Sequence, residues 1–209
     1  INEHLVSLGI NPMVPPVELL AEDFMQQLQA HAQGNPRAKA SEMEHALRKH
    51  CTVHHDEDPA FYKRLSEKVD ALIEKHQDEW DLLAEKLAEV RVEAVAGRQQ
   101  GRAGMSREAS TFYEFVAELV FERAHVPQGD ELTFRALMEA LVELLQGTIG
   151  SIDFWESQDK QKRLRGQIKV ELGKTGLAAL KTKRERVAVE IMKLARNRHD
   201  ALVGTGKGH

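Results

Sequence analysis

Apolar side chains recur every three or four residues along most of the chain, with polar residues between them. This period is that of an amphipathic α-helix, whose apolar stripe faces a core. No stretch shows the two-residue alternation of a half-buried strand. The pattern therefore predicts an all-α protein, built as a multi-helix bundle.

The longest uninterrupted pattern begins at Pro59, which follows a suitable N-cap residue in Asp58, and contains no further glycine or proline up to Ala96. It predicts one long helix, about 59–96, of roughly 55 Å at about 1.5 Å per residue. The apolar stripe of this helix consists of Phe61, Leu65, Val69, Leu72, Ile73, Trp80, Leu83, Leu87 and Val90. A solitary helix cannot bury such a stripe, so we expect it to pack in antiparallel helical hairpins.

Turn and cap signals place the helices before this one. A first helix is expected from the prolines at Pro15 and Pro16 to Gly34. A second is expected from Ser41 to about His54, because Ser41 and Glu44 have the spacing of a capping box.

Similar signals place the later helices. Ser106 is expected to cap a helix that pairs antiparallel with the helix after Asp130. A short helix from about Ile152, a basic helix, a glycine-containing break and a last helix ending near Leu202 complete the pattern.

The same signals predict the domain organisation. Residues 1–16 are rich in proline and are expected to form an irregular linker or strap. Residues 17–100 then make an N-terminal helical part, and residues 101–203 a C-terminal one, with a glycine-rich basic turn at the boundary. The tail 204–209 is expected to be disordered. A single domain over 1–203 remains an alternative.

Composition indicates in which compartment the protein is expected. The 209 residues begin with Ile1, which indicates a piece of a longer or processed protein. They contain no run of 18 apolar residues and show no signal peptide, so a membrane span is not expected. The single cysteine, Cys51, cannot form an internal disulfide and fits a reducing, cytoplasmic location.

Charge is distributed unevenly along the chain. The net charge is -4, but residues 160–209 contain 14 Lys and Arg against 4 Asp and Glu, a net of +10 that leaves -14 for residues 1–159. Such a basic end can attract phosphate or an acidic protein surface. No aromatic residue follows Trp155, so the basic end lacks the stacking platform of single-strand readers.

A metal site is the first chemistry to test. Histidine, cysteine and aspartate cluster over nine residues, and His50 and His54 stand four apart, so both would share a helix face with Asp58 nearby. Without a second cluster at finger-like spacing, we expect these residues to be structural, with His54 and His55 at a helix C-terminus. The sequence therefore assigns no metal site.

The sequence contains neither a complete phosphate-binding loop nor a recognisable catalytic motif. Gly204–Lys207 resembles a nucleotide loop, but Ala201 occupies the position of its first glycine and Gly208 the position of its Ser or Thr. The carboxylates lie mostly on charged helix faces, and no nucleophile with a base or convergent acid pair is apparent. We therefore assign no catalytic and no cofactor-binding residue to this chain.

The basic C-terminal residues are the remaining candidates for binding. They are Lys160, Lys162, Arg163, Arg165, Lys169, Lys181, Lys183, Arg184 and Arg186, and the same basic stretch continues to Lys193, Arg196 and Arg198. Charge alone does not distinguish docking to an acidic protein from proximity to DNA, and an intramolecular role is the alternative to both.

Three segments resemble a known family. They are Asn35–His50, the run Ile152–Trp155 with Arg163–Arg165 after it, and Ile191–Leu202. Together these segments resemble the C-terminal helical region of the motor (R) subunit of type I restriction-modification enzymes. The motifs are helix-face patterns, not catalytic signatures.

The resemblance implies a parent that is an ATP-dependent, DNA-translocating endonuclease, with ATP and magnesium bound by segments that this chain does not contain. The chain itself is then expected to be a non-catalytic assembly domain. Its partners would be the methyltransferase core, made of modification and specificity subunits, and the motor domains of its own chain. The alternatives are a DNA-binding helical module that uses the basic helices, and an unrelated coiled-coil adaptor that pairs through the long helix.

Overall fold

The computed structural model describes residues 18–204, except for the side chain of Arg123. These residues form helices and turns, without a strand, so the expected all-α multi-helix bundle is confirmed. The helices are α1 (Phe24–Ala32), α2 (Pro36–His54), α3 (Pro59–Lys75), α4 (Trp80–Ala96), α5 (Arg107–Val120), α6 (Glu131–Ile149), α7 (Gln158–Lys174), α8 (Arg184–Asn197) and α9 (His199–Gly204). Short 3₁₀ turns occur at Glu122–Ala124 and Ala178–Leu180.

The chain divides into two compact units. The first takes the described residues up to His55 together with Phe61–Gly97. The second takes Asp56–Ala60 and the described residues from Arg98 onward. The expected strap at 1–16 and the tail residues 205–209 lie outside the described residues.

In the first unit, α2 is the central helix and packs against α1 and α4. Its N-terminus is set by Asn35, whose side-chain oxygen accepts hydrogen bonds from the amides of Arg37 (3.0 Å) and Ala38 (3.3 Å). Pro36 occupies the first helical position, where a missing amide costs nothing. The prediction that α2 begins at Ser41 was wrong, because this cap and proline precede it by a full turn.

Arg91 of α4 holds the segment before α1. Its guanidinium donates to the carbonyls of Leu19 (3.0 Å) and Ala21 (3.2 Å) and lies 4.6 Å from the centre of the Phe24 ring. The buried residues of this unit's core are Leu19, Phe24, Leu28, Ala40, Met43, Ala46, Leu47, Cys51, Phe61, Tyr62, Leu65, Val69, Leu83, Ala84, Leu87, Val90 and Ala94.

The single long helix expected over 59–96 was wrong, because α3 ends at Lys75 and α4 begins at Trp80. The amide of His76 closes the last turn of α3, and the amide of Glu79 bonds to the His76 carbonyl. The imidazole of His76 is buried and lies 2.9 Å from the Glu79 carboxylate. The chain turns here although neither glycine nor proline is present. A coiled-coil adaptor would pair through one uninterrupted apolar stripe over 59–96, and α3 and α4 do not form such a stripe.

In the second unit, α5, α6, α7 and α8 each pack against the next, and α8 packs against α5, so the four helices close a ring. Ser106, at the start of α5, bonds Glu139 in the middle of α6, whereas Tyr113, further along α5, bonds Glu131 at the start of α6. These contacts run in opposite directions, so α5 and α6 form the expected antiparallel pair.

The remaining pairs of the ring are antiparallel as well. Lys183, just before α8, donates to the Val120 carbonyl at the end of α5. Lys169, late in α7, pairs with Glu185, early in α8. The second unit is thus an up-down-up-down four-helix bundle, with α9 packed on α6 and α8.

The core of the bundle is apolar. Its largest fully buried side chains are Phe112, Phe134, Phe154, Met138, Leu141 and Leu145. Ser106 caps α5 as expected, with its hydroxyl accepting from the Ala109 amide at 3.1 Å. The short helix expected from about Ile152 is instead a series of turns that buries Phe154. The expected last helix is divided at Arg198 and ends at Gly204.

The segment Asp56–Ala60 is held in the second unit by polar side chains. Asn197 donates to the carbonyl of Asp56 at 3.2 Å, and Arg198 donates to the carbonyl of Glu57 at 2.8 Å. The carboxylate of Asp58 is bound by the guanidinium of Arg98. These bonds explain why five residues that connect α2 to α3 belong to the four-helix unit.

Candidate interaction surfaces

A basic groove of about 530 Å³ lies between α7 and α8 in the second unit. It is lined by Trp155, Gln158, Asp159, Gln161, Lys162, Arg165, Val189, Met192, Lys193 and Arg196. Four of these residues are cations, and Asp159 is the one acid among them.

Helical spacing explains how the four cations meet. Lys162 and Arg165 stand three apart on α7, and Lys193 and Arg196 stand three apart on α8, so each pair shares a helix face. Because the two helices are antiparallel, the early part of α7 lies beside the late part of α8. The groove therefore collects cations from two segments that are far apart in the chain.

Trp155 closes one end of the basic groove. Its indole nitrogen donates to Nδ1 of His199 at 3.1 Å, and its ring stands edge-on to the Phe154 ring at 4.8 Å between centroids. The guanidinium of Arg196 lies 5.9 Å from the ring centre. Trp155 is therefore a half-buried anchor with a fixed orientation.

The nine basic residues selected from the sequence do not share one surface. Lys162 and Arg165 line the basic groove, but the other seven do not. Lys160 pairs with Asp153 at 2.5 Å, and Lys169 pairs with Glu185 at 2.8 Å. These pairs lower the pKa of both carboxylates.

Two of the remaining residues have intramolecular roles. Lys183 donates to the Val120 carbonyl at 2.7 Å, which satisfies a backbone acceptor at the end of α5. Arg184 lies against the backbone of α7 at Gly173, where an added Cβ would be 3.0 Å from Nη1. The other three, Arg163, Lys181 and Arg186, are exposed.

Lys193 and Arg196 belong to the basic C-terminal stretch of the sequence but were not among the nine residues selected from it. The sequence pattern already places both on one helix face with Val189 and Met192, because Lys193 is four residues after Val189 and Arg196 is four after Met192. What the sequence did not show was that α7 and α8 run side by side in opposite directions.

A second groove, the apolar groove, lies on the other flank of α7 and encloses about 480 Å³. Its lining residues are Leu132, Thr133, Ala136, Leu137 and Ala140 of α6 with Glu171, Lys174 and Thr175 at the end of α7. Leu132 is 78 % exposed at the edge of this groove. Small residues along α6 leave room for the side chains of another helix.

Aromatic side chains often anchor protein interfaces, and four of them here fall into two groups by burial. Phe112 and Tyr113 are buried in the four-helix core. Trp80 and Trp155 are half-buried, and the Arg37 guanidinium lies 5.1 Å from the centre of the Trp80 ring.

The histidine cluster considered as a metal site is an aromatic stack in the first unit. The rings of His50 and His54 lie 4.4 Å apart, and the Tyr62 ring packs against both. Burial raises the pKa of the Cys51 thiol, which keeps it neutral. Across residues 18–204, no group of three or more His, Cys, Asp or Glu side chains is placed to hold a metal ion.

Comparisons with family models, curated proteins and solved structures gave no match. Within residues 18–204, no helix combines the length and apolar character needed to cross a membrane.

Proposed function

We propose that this chain is a non-catalytic helical assembly domain from the C-terminal region of a type I restriction enzyme R subunit. In this proposal it docks an ATP-dependent, DNA-translocating endonuclease onto the methyltransferase core in the cytoplasm. ATP and magnesium are bound by the motor and nuclease segments of the parent subunit, and the motor domains are the second partner of this domain.

The segments that resemble this family supply residues on which the fold depends. Asn35 and Pro36 begin α2. Phe154 is buried in the four-helix core, and so are Ile191 and Leu194 of α8. The resemblance therefore falls on cap and core residues, which determine where helices begin and how they pack.

The apolar groove is the observation that carries the docking proposal. Leu132 is a large apolar side chain that is 78 % exposed beside a groove lined by Ala136 and Ala140. An exposed apolar side chain beside a small-residue groove suits the apolar core of a protein interface, where a few buried side chains supply most of the binding energy. A helix of the methyltransferase core that inserts its apolar ridge here would cover Leu132.

Size-exclusion co-elution of the chain with the methyltransferase core tests the proposal, at about 0.3 M KCl to screen surface charge. The unaltered chain is expected to co-elute, and Leu132→Glu is expected to weaken binding by about tenfold or more because it places a charge in a desolvated interface. Val92→Glu is the matched control, since Val92 is 66 % exposed on α4 in the first unit.

Far-ultraviolet circular dichroism must show equal helicity in both variants. Equal binding by the Leu132 and Val92 variants would exclude the apolar groove as the docking site. Absence of binding by the fully helical, unaltered chain would contradict the docking role itself.

A further inference from the structure

The charges of the basic groove are only partly compensated. Arg165 is 3.8 Å from Glu185, and Lys193 is 2.8 Å from Glu190, but these are solvent-exposed pairs of the kind that contribute little binding energy. Lys162 and Arg196 are exposed and form no ion pair with any residue in the described part of the chain. A polyanion can therefore bind all four cations without first breaking a strong internal contact.

The spacing of the cations suits a chain of phosphates. Residues three apart on a helix are about 4.5 Å apart along its axis, and packed helices lie about 8–10 Å apart. The two pairs thus form a small rectangle of charge. Duplex DNA presents one phosphate charge per roughly 1.7 Å of its axis, so about two to four phosphates fall within reach of this rectangle. Arg165 and Arg196 can each bind a phosphate with two parallel hydrogen bonds.

We infer that the basic groove binds the phosphodiester backbone of duplex DNA without reading its bases. Single-stranded nucleic acid fits less well, because the lining contains a single aromatic residue, Trp155, whereas single-strand readers stack successive bases on several aromatic side chains. An acidic protein surface also fits less well. The apolar lining residues of this groove, Val189 and Met192, are half-buried, so the groove lacks a protruding anchor like Leu132.

This binding does not depend on the docking role. It uses the groove between α7 and α8, whereas docking uses the groove between α6 and α7. Either activity can therefore fail while the other holds.

Fluorescence anisotropy of the full chain with a labelled duplex of about 20 base pairs tests the inference, over about 50–200 mM KCl. Unaltered protein is expected to show a log–log salt slope of about -0.9 per phosphate contacted, for two to four contacts. The double variant Lys162→Ala/Arg196→Ala removes two of the contacts. We expect it to lose about tenfold or more in affinity at low salt and to reduce the slope by about 1.8.

The matched control is Arg163→Ala/Lys181→Ala, which removes one exposed arginine and one exposed lysine of the same unit that do not line the groove. We expect its affinity to stay within about threefold of the unaltered protein, since diffuse charge acts weakly at a distance. Equal losses in the two double variants would show that net charge, not the groove, attracts DNA.

Three other outcomes would overturn the inference. One is the absence of duplex binding at low salt by protein that is fully helical. Another is tighter binding of a single strand than of the duplex. The last is equal competition by polyglutamate at the same charge concentration, which would indicate an acidic protein partner instead.

Discussion

Arg98 and Asp58, forty positions apart in the sequence, form a two-bond ion pair inside the second unit, with Nε 2.6 Å from Oδ2 and Nη2 3.1 Å from Oδ1. Nη2 of Arg98 also donates to Glu114 at 2.5 Å, and Thr111 donates to Asp58 at 3.2 Å. The Arg98 and Asp58 side chains are only 9 % and 5 % exposed. Burial alone would lower the pKa of Arg98, but the bonds to Asp58 and Glu114 raise it above its ordinary value.

Asp58→Ala is expected to destabilise the second unit by about 3 kcal/mol. A buried charge that loses one partner keeps its desolvation cost, and Glu114 compensates only part of the charge on Arg98. Urea unfolding followed by circular dichroism measures this change as a lower midpoint at unchanged slope.

Asp153→Ala is the matched control for this variant, because Asp153 forms an ion pair with Lys160 that is exposed to solvent. Removing that pair is expected to leave the midpoint nearly unchanged. A loss for Asp58→Ala as small as that of the control would show that the buried pair adds nothing to stability.

Asn35→Ala is expected to cost about 1 kcal/mol, because the Asn35 side chain satisfies two amides at the start of α2. Ser41→Ala is the control, since Ser41 lies within α2, where alanine is the better helix former. Thermal unfolding of the two variants compares them directly. A larger loss for Ser41→Ala would mean that the effective N-terminus of α2 is at Ser41, as the sequence pattern alone had predicted.

The sequence predicted a helix correctly where the apolar periodicity began next to a capping residue. Ser106 is such a case, since the residue that caps α5 is adjacent to the pattern it begins. The break between α3 and α4 was missed because His76 and Glu79 are unremarkable helix residues singly. At the break their side chains lie 2.9 Å apart, with His76 buried.

The buried charges and the grooves could not be derived from the sequence. Asp58 was interpreted as a cap residue, and nothing local indicates that Arg98 would reach it. The basic residues were predicted as one set, but their division among the basic groove, helix ends and exposed pairs depends on which helices are neighbours. Periodicity predicts which face of a helix is buried, but not which helix covers it.

A second buried pair joins Arg198 to Glu108, with Nε 3.1 Å from the carboxylate and both side chains at most 10 % exposed. A double-mutant cycle of Arg198→Met and Glu108→Gln is expected to give a coupling energy of about 2 kcal/mol. The exposed pair Lys193 and Glu190, at 2.8 Å, is the control and is expected to give about 0.3 kcal/mol. Equal coupling in the two cycles would contradict a stabilising role for burial of the Arg198 pair.

Tyr113 connects α5 to α6 through a titratable hydroxyl. The residue is 97 % buried, and its hydroxyl donates to Glu131 at 2.6 Å. Burial and this bond to a carboxylate raise the pKa of Tyr113 above its ordinary value of 10. The unfolded chain therefore releases the phenolic proton at a lower pH than the folded one.

Stability is consequently expected to fall as the pH rises above 10, the ordinary pKa of tyrosine, because the unfolded state then binds fewer protons than the folded state. For Tyr113 this loss is up to about 1 kcal/mol between about pH 9 and 11. Tyr113→Phe removes the titrating group, so its stability is expected to fall less steeply over this range even though it starts lower at neutral pH. Phe121→Leu, which is destabilised by packing loss but keeps Tyr113, is expected to retain the full alkaline slope. Urea unfolding of the unaltered protein and the two variants at a series of pH values measures how steeply the stability of each falls. Identical slopes for Tyr113→Phe and Phe121→Leu would exclude Tyr113 as the source of the alkaline sensitivity.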